Sequence, residues 1–247
     1  EAEGFQLFLA ATLKVGPPDA PILTFDVLGL LLINDQGFAA TLELDVAANT
    51  NNDDLSFAVN FQLFINSTGV EQGYDLPDNF AEFLGGTLKP SLLARIQTGR
   101  ITVPAAAPRL ANEPEAPAGS YLVLMGAGSV NIKNTFVANG NFRIEISGDA
   151  FILSFAATIT VNPLGTLSAK GHLEVNSRGV LGSLQLLGNL SQGSLTIVGA
   201  ISLEINTTDE TRLIERFDFD LNSETVSNTS SFVPIADGDF RIFVAGK

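Results

Sequence analysis

The stretch Phe5-Gln6-Leu7-Phe8-Leu9-Ala10-Ala11-Thr12-Leu13-Lys14-Val15 recurs as Phe151-Ile152-Leu153-Ser154-Phe155-Ala156-Ala157-Thr158-Ile159-Thr160-Val161. The echo continues in order. Ile33-Asn34-Asp35-Gln36-Gly37 returns as Val175-Asn176-Ser177-Arg178-Gly179, and Leu63-Phe64-Ile65-Asn66-Ser67-Thr68 as Leu203-Glu204-Ile205-Asn206-Thr207-Thr208. Val103-Pro104 and Gly119-Ser120-Tyr121 return as Val233-Pro234 and Gly238-Asp239-Phe240. A repeat of this length, written in short alternating segments, predicts an elongated β architecture built by stacking. It speaks against a catalytic fold grown around one pocket.

The two copies divide the chain at residues 1–149 and 150–247. The first carries extra residues, an insertion at about 70–119. The second is truncated: its last segment, Phe240–Lys247, corresponds to the middle of the first copy, where Ser129–Asp149 follows. This reads as a window cut from a longer tandem array, against a complete two-unit protein whose last strand was lost.

Strand signals dominate. Alternating Val, Ile, Phe, Thr and Leu mark Phe5–Val15, Leu23–Ile33, Ala39–Val46, Leu55–Ile65, Tyr121–Met125, Ser129–Lys133 and Asn141–Ser147. The second half adds Phe151–Val161, Thr166–Val175, Gly182–Leu187, Ser194–Ile205, Arg216–Leu221 and Phe240–Ala245. Turn formers separate them, among them Asn34 to Gly37, Asn139-Gly140-Asn141 and Asn162 to Gly165. Strand, short turn, strand is the rhythm of an antiparallel meander, since parallel pairing needs longer crossovers. Phe25, Val27, Leu31 and Ile33 lie on one side of their strand, and Leu28, Leu30 and Leu32 on the other. A strand apolar on both faces predicts a sheet covered by a second sheet, a neighbouring unit or its own curl. The expected fold is all-β: an elongated, curved antiparallel meander of two tandem, solenoid-like units.

The insertion departs from this rhythm. Leu76 to Gly86 reads as a short helix capped by Asp78 and stopped by Gly85, and Pro90 to Ile96 as a second. A Pro/Ala stretch from Val103 to Pro117 reads as an extended linker or edge strand. The expected role is a lid over an exposed sheet end that blocks stray edge pairing, set against a binding element.

Composition narrows the function classes. The chain of 247 residues carries a net charge of −14, which disfavours nucleic-acid backbones and anionic membranes. It is 45% hydrophobic, yet no run of 18 apolar residues is unbroken, so no membrane-spanning helix is expected. An outer-membrane barrel is disfavoured because Tyr is rare and Trp absent, leaving no aromatic girdle. Cysteine is absent, which removes disulfides, thiol catalysis and Cys-type zinc sites.

Candidate chemistry is sparse. His172 is the single histidine, so a multi-histidine metal site is excluded and a catalytic triad has one candidate base, read as a strand residue. Gly182-Ser183-Leu184 lacks the second glycine of a nucleophile elbow. Asp218 and Asp220 share one strand face and read as a solvated stripe rather than opposed catalytic carboxylates. No enzymatic role is expected and no cofactor is implied, calcium aside. Asn51, Asp53 and Asp54 concentrate oxygen donors in one turn, and Asp75, Asp78 and Asn79 form a second cluster; calcium is set here against a polar turn without an ion. Asn66, Asn189, Asn206 and Asn228 open Asn-x-Ser/Thr sequons, read at Asn66 and Asn206 as turn residues.

Phe151 to Val161, Leu164 to Leu167, His172 to Asn176, Gly179 to Leu187 and Ser202 to Thr208 together resemble the tandem β-repeats of giant bacterial surface or secreted proteins, of planctomycete and cyanobacterial type. The resemblance implies a structural or adhesive role at the cell surface or outside it, with no catalytic residues to carry over. The expected function is a structural protomer of an extracellular fibre or surface layer. It would assemble with itself end to end through Phe5 and Leu7 at one end and Phe240, Ile242, Phe243 and Val244 at the other, without nucleic acid or membrane insertion. The alternatives are a monomeric adhesion or carbohydrate-binding module and an elongated groove that carries lipid.

Overall fold

The computed structural model describes residues 4–16, 19, 21–49, 55–80, 82, 94, 96–109, 115–217 and 230–246. The chain forms two compact units, Glu1–Ala127 with Glu145–Gly148, and Gly128–Ile144 with Asp149–Lys247. It is almost entirely β, in antiparallel sheets, as the alternation and turn spacing imply.

In the first unit β1 (Phe5–Val15), β2 (Leu23–Asn34), β3 (Gly37–Asn49) and β4 (Leu55–Asn66) pair in sequence order, each antiparallel to the next. A short pair, β5 (Gln72–Asp75) with β6 (Arg100–Val103), stands apart as its own sheet. β7 (Tyr121–Ile132) then lies beside β4. In the second unit β8 (Phe136–Ser147) precedes the meander β9 (Ala150–Val161), β10 (Gly165–Asn176), β11 (Gly179–Gln192) and β12 (Leu195–Asn206). The short pair β13 (Arg212–Phe217) and β14 (Ser230–Ile235) stands apart, and β15 (Phe240–Gly246) lies beside β12.

The repeat survives at the level of single turns. Asn34 Oδ1 accepts from the backbone N–H of Gln36 and Gly37, and Asn176 Oδ1 from that of Arg178. Gly37 and Gly179 close these two-residue hairpins at φ 138° and 139°, a region L side chains avoid. A Cβ on Gly179 would stand 2.5 Å from the Thr207 carbonyl oxygen. Gly179→Ala is therefore expected to destabilise the second unit by about 1–3 kcal/mol, read from its urea unfolding midpoint.

Two local expectations are corrected. Asn139-Gly140-Asn141 is not a turn but the interior of β8. A Cβ on Gly140 would meet the Ala156 carbonyl oxygen at 3.1 Å, so the glycine serves close backbone approach. The turn falls instead at Lys133-Asn134, both at positive φ, with Asn131 Oδ1 accepting from the Asn134 N–H. Tyr121–Met125 and Ser129–Lys133 were separated in the sequence reading by Gly126 to Gly128; the ladder runs through them as β7.

Each sheet has two unlike faces. In the first unit Leu28, Leu30, Leu32 and Ala39 are buried beneath Ile96, Ile101 and Val103 of the insertion. Phe8 stacks on Tyr74 at 6.2 Å and meets Phe80 edge-on at 5.1 Å. A second cluster joins Phe64, Ala107, Tyr121 and Val123. In the second unit Ile214, Val233 and Ile235 pack on Leu181. The insertion is thus a cover for a sheet face, not the lid over a sheet end that its composition suggested. Among its described residues Phe80, Glu82, Ala94 and Ile96 are helical; 81, 83–93 and 95 lie outside the described residues.

Burial pushes the Tyr121 phenol up to about 12 from its ordinary 10.0, with its hydroxyl donating to the Pro104 carbonyl at 2.8 Å. Below pH 10 the group is neutral folded or unfolded, so stability is intact. It is lost as pH rises from 10 through 12, where only the unfolded chain ionises freely. With Tyr74→Phe leaving one tyrosine, ultraviolet titration should show phenolate formation centred near 12.

Candidate functional site

The covers are held by buried polar groups that repeat between units. Asn66, fully buried, donates to the carbonyls of Val70 and Pro104, both at 2.8 Å. Its Oδ1 accepts from the Thr68 N–H at 2.8 Å and the Thr68 hydroxyl at 2.7 Å. Asn206, also fully buried, donates to Glu210 and Ile235 at 2.9 and 3.0 Å and accepts from Thr208 at 3.0 and 2.7 Å. Each asparagine ties a sheet edge to the last residues of its cover. Their amide nitrogens are spent on this, so the turn reading of these two sequons holds and neither presents a glycan acceptor.

Ion pairs join the covers in both units: in the first, Arg109 reaches the fully buried Glu145 at 3.0 Å, and the second carries several. Glu174, Lys170, Gln185 and Glu204 project from β10, β11 and β12 toward β13. Arg212 reaches Glu174 at 2.9 Å. Arg216 grips the fully buried Glu204 with two bonds of 2.7 and 2.6 Å, while the Ser202 hydroxyl donates to the same carboxylate. The guanidinium also lies 4.5 Å from the centroid of the Phe243 ring. Lys170 pairs with Glu215, whose carbonyl accepts from Gln185.

His172 belongs to this covered face. Its Nδ1 is 3.0 Å from the Ser154 hydroxyl, and Ser183 and Glu204 lie opposite it along the ladder. The row of Ser154, His172, Ser183 and Glu204 superficially suggests acid, base and nucleophile. Glu204 lies one strand beyond Ser183 from His172, and its carboxylate is held by Arg216 and Ser202.

Among the proposed calcium ligands, Asn51, Asp53 and Asp54 lie outside the described residues, as do Asp218, Asp220 and Asn228. In the second cluster Asp75 is taken by Arg100 at 2.6 Å, and Asn79 sits at positive φ with its carbonyl accepting from Glu82. Among the described residues no three His, Asp or Glu side chains converge as a metal site.

The opposite face is apolar and exposed. In the second unit, register puts Phe151, Leu153, Phe155, Ala157 and Ile159 of β9 on it. β10 adds Leu167, Ala169 and Leu173, and β11 adds Leu184, Leu186 and Leu190. Ile197, Ile201, Leu203 and Ile205 of β12 continue the face, and Phe240, Ile242 and Val244 of β15 finish it. No charged or hydrogen-bonding side chain interrupts these rows. Val244 is 75% exposed and Phe240 59%. In the first unit Phe5, Leu7, Leu9 and Leu13 of β1 form the same face with Ile33 and Leu42, and Leu13 is 59% exposed. Among the described residues of this chain, no segment covers this face. Each large side chain left in water forgoes roughly 1.5–3 kcal/mol of burial.

That face is not flat. A trough of about 540 Å³ runs over β9 to β12 and β15, floored by Ala157, Ala169, Gly188 and Gly199. Its sides are Leu, Ile and Val. A period-2 count of apolar positions on β10 to β12 carries the signal for this face; the trough depends on which small residues align across strands.

The assembly residues lie on strands with one neighbour each: Phe5 and Leu7 on β1 beside β2, and Phe240, Ile242, Phe243 and Val244 on β15 beside β12. Phe240, Ile242 and Val244 face the trough side. Phe243 faces the cover and carries Arg216.

Comparison with known proteins finds no matching family model, curated protein or solved structure.

Proposed function

We propose that the chain is a non-catalytic structural unit of an extracellular fibre or surface layer, extended end to end by β-strand pairing through β1 and β15. One observation carries the reading. Among the described residues both outer strands, of 11 and 7 residues, pair on one side only and carry large exposed apolar side chains, and the covers lie over sheet faces instead. Native sheets ordinarily blunt such edges with charge, proline or bulges. Here only Lys14 and Arg241 interrupt them, and Arg241 is turned to Asp239 and the Pro234 carbonyl.

Strand direction sets the geometry. Four antiparallel steps separate β9 from β15, so these two run the same way, and β9 is the counterpart of β1. A direct head-to-tail pair is therefore parallel, slightly weaker per residue than an antiparallel one. Alternating β15–β15 and β1–β1 contacts about two-fold axes keep every pair antiparallel and also extend without end.

The test is assembly at high protein concentration, followed by sedimentation velocity and negative-stain microscopy. Filaments are expected. Ile242→Lys with Val244→Lys should halt growth, leaving monomers if contacts are head to tail and β1-linked dimers if they are two-fold. Circular dichroism should keep its strand signal. A parent chain that stays monomeric, or assemblies indifferent to these substitutions and to Leu7→Lys, would overturn the proposal and leave a monomeric adhesion module. A lipid-carrying groove is a second reading, favoured by the uncovered apolar trough.

A further inference from the structure

The trough of the second unit points to a binding site, and we propose that it holds a single long alkyl chain of a fatty acid. This deepens the lipid-groove reading above and rests on it; the trough shares Val244 with the outer strand β15. Three observations select this occupant.

The lining is hydrocarbon. Ile159, Leu167, Leu186, Ile197, Ile201 and Val244 form the walls, and the one hydroxyl at its border, Ser168, is turned to Thr158 on the opposite face. Nothing in it donates to or accepts from a polar ligand, so sugars, peptides and nucleotides find no orienting group. The volume of about 540 Å³ falls within the ordinary range for small-molecule sites.

Shape argues against a second copy. The face is concave where the small residues align, so two such faces brought together enclose a void rather than fill one. Face-to-face stacking would also bring one net charge of −14 over another. The same charge repels the many headgroups of an anionic bilayer, whereas a fatty acid brings a single carboxylate that stays in solvent, away from the apolar lining.

The floor has unclaimed space. A Cβ on Gly188 would meet Leu167 Cδ2 at 3.2 Å, so that glycine lets a neighbour cross. A Cβ on Gly199 would meet nothing nearer than the Ala245 carbonyl oxygen at 3.8 Å. Gly199 keeps the trough open without serving internal packing.

Equilibrium dialysis of the whole chain against radiolabelled palmitate tests this. Saturable binding of one palmitate per chain is expected. Gly199→Leu, whose Cβ has room at the floor, should weaken it at least tenfold while strand content and edge-mediated assembly persist. Leu213→Glu, on the cover, should leave it unchanged. Absent or unsaturable binding would overturn the proposal, as would binding that Gly199→Leu leaves intact. So would a palmitate-insensitive dimer that Gly199→Leu dissociates, which assigns the trough to a second copy. Co-sedimentation with dioleoylphosphatidylcholine vesicles without monomeric palmitate binding would likewise overturn it, in favour of a membrane surface.

Discussion

Arg216→Ala is expected to cost about 3–5 kcal/mol of the second unit's stability, because it strands a fully buried carboxylate. Glu204 then keeps one hydroxyl partner, Ser202, in place of a bidentate guanidinium. The loss is larger than the net worth of the pair, since desolvation of Glu204 is no longer compensated. The double variant Glu204→Leu with Arg216→Met removes both charges and should recover most of the loss. Urea denaturation of the three proteins measures this. A single variant as stable as the parent would show that Glu204 is hydrated in solution and that β13 does not seal it.

Asn206→Ala should be nearly as severe, at about 3–5 kcal/mol. It removes four hydrogen bonds and leaves the Ile235 carbonyl and Thr208 N–H without their partner in the interior, each costing about 1–3 kcal/mol. Asn206→Asp keeps the acceptor side but points a carboxylate at two carbonyls, so it should not rescue. Asn66→Ala should act alike on the first unit through Pro104 and Val70. Hydrogen exchange resolved by segment checks both: β13 and β14 should lose protection in one variant, β5 and β6 in the other. Protection unchanged in either case would mean that the covers are held by their apolar contacts alone.

The two variants address the same design from different terms. The sheets do not hide their covered faces with hydrocarbon only. They use a buried amide and ion pairs in both units, Arg109 on Glu145 in the first and Arg216 on Glu204 in the second, which fix where each cover sits. A hydrophobic contact such as Ile214 on Leu181 tolerates sliding; the four bonds of Asn206 do not.

Long strands were legible because alternation over 11 to 14 residues leaves little ambiguity of period. β1, β2, β4 and β9 start and end within a residue or so of their apolar patterns. The short strands were not. β5, β6 and β14 span four to six residues, too few for a period to stand out. The sequence places a strand at Arg216–Leu221; β13 begins at Arg212, four residues earlier, and 218–221 lie outside the described residues. Its register follows from partners distant in sequence, Arg212 on Glu174, Ile214 on Leu181 and Arg216 on Glu204, none of which local periodicity reveals.

By itself the sequence determined the class of fold, the antiparallel rhythm and the equivalence of the hairpins at Gly37 and Gly179, because these depend on φ, on pleat and on neighbours along the chain. Tertiary structure alone decided which apolar face is covered. Leu30 and Leu31 are adjacent and equally hydrophobic, yet Leu30 lies under the insertion while Leu31 turns to the open side. Composition weighs both alike; only the docking of a remote segment, anchored by Asn66, separates them. The trough has the same origin. Ala157, Ala169, Gly188 and Gly199 are unremarkable in their own strands, and the space they leave exists only where the ladder sets them side by side.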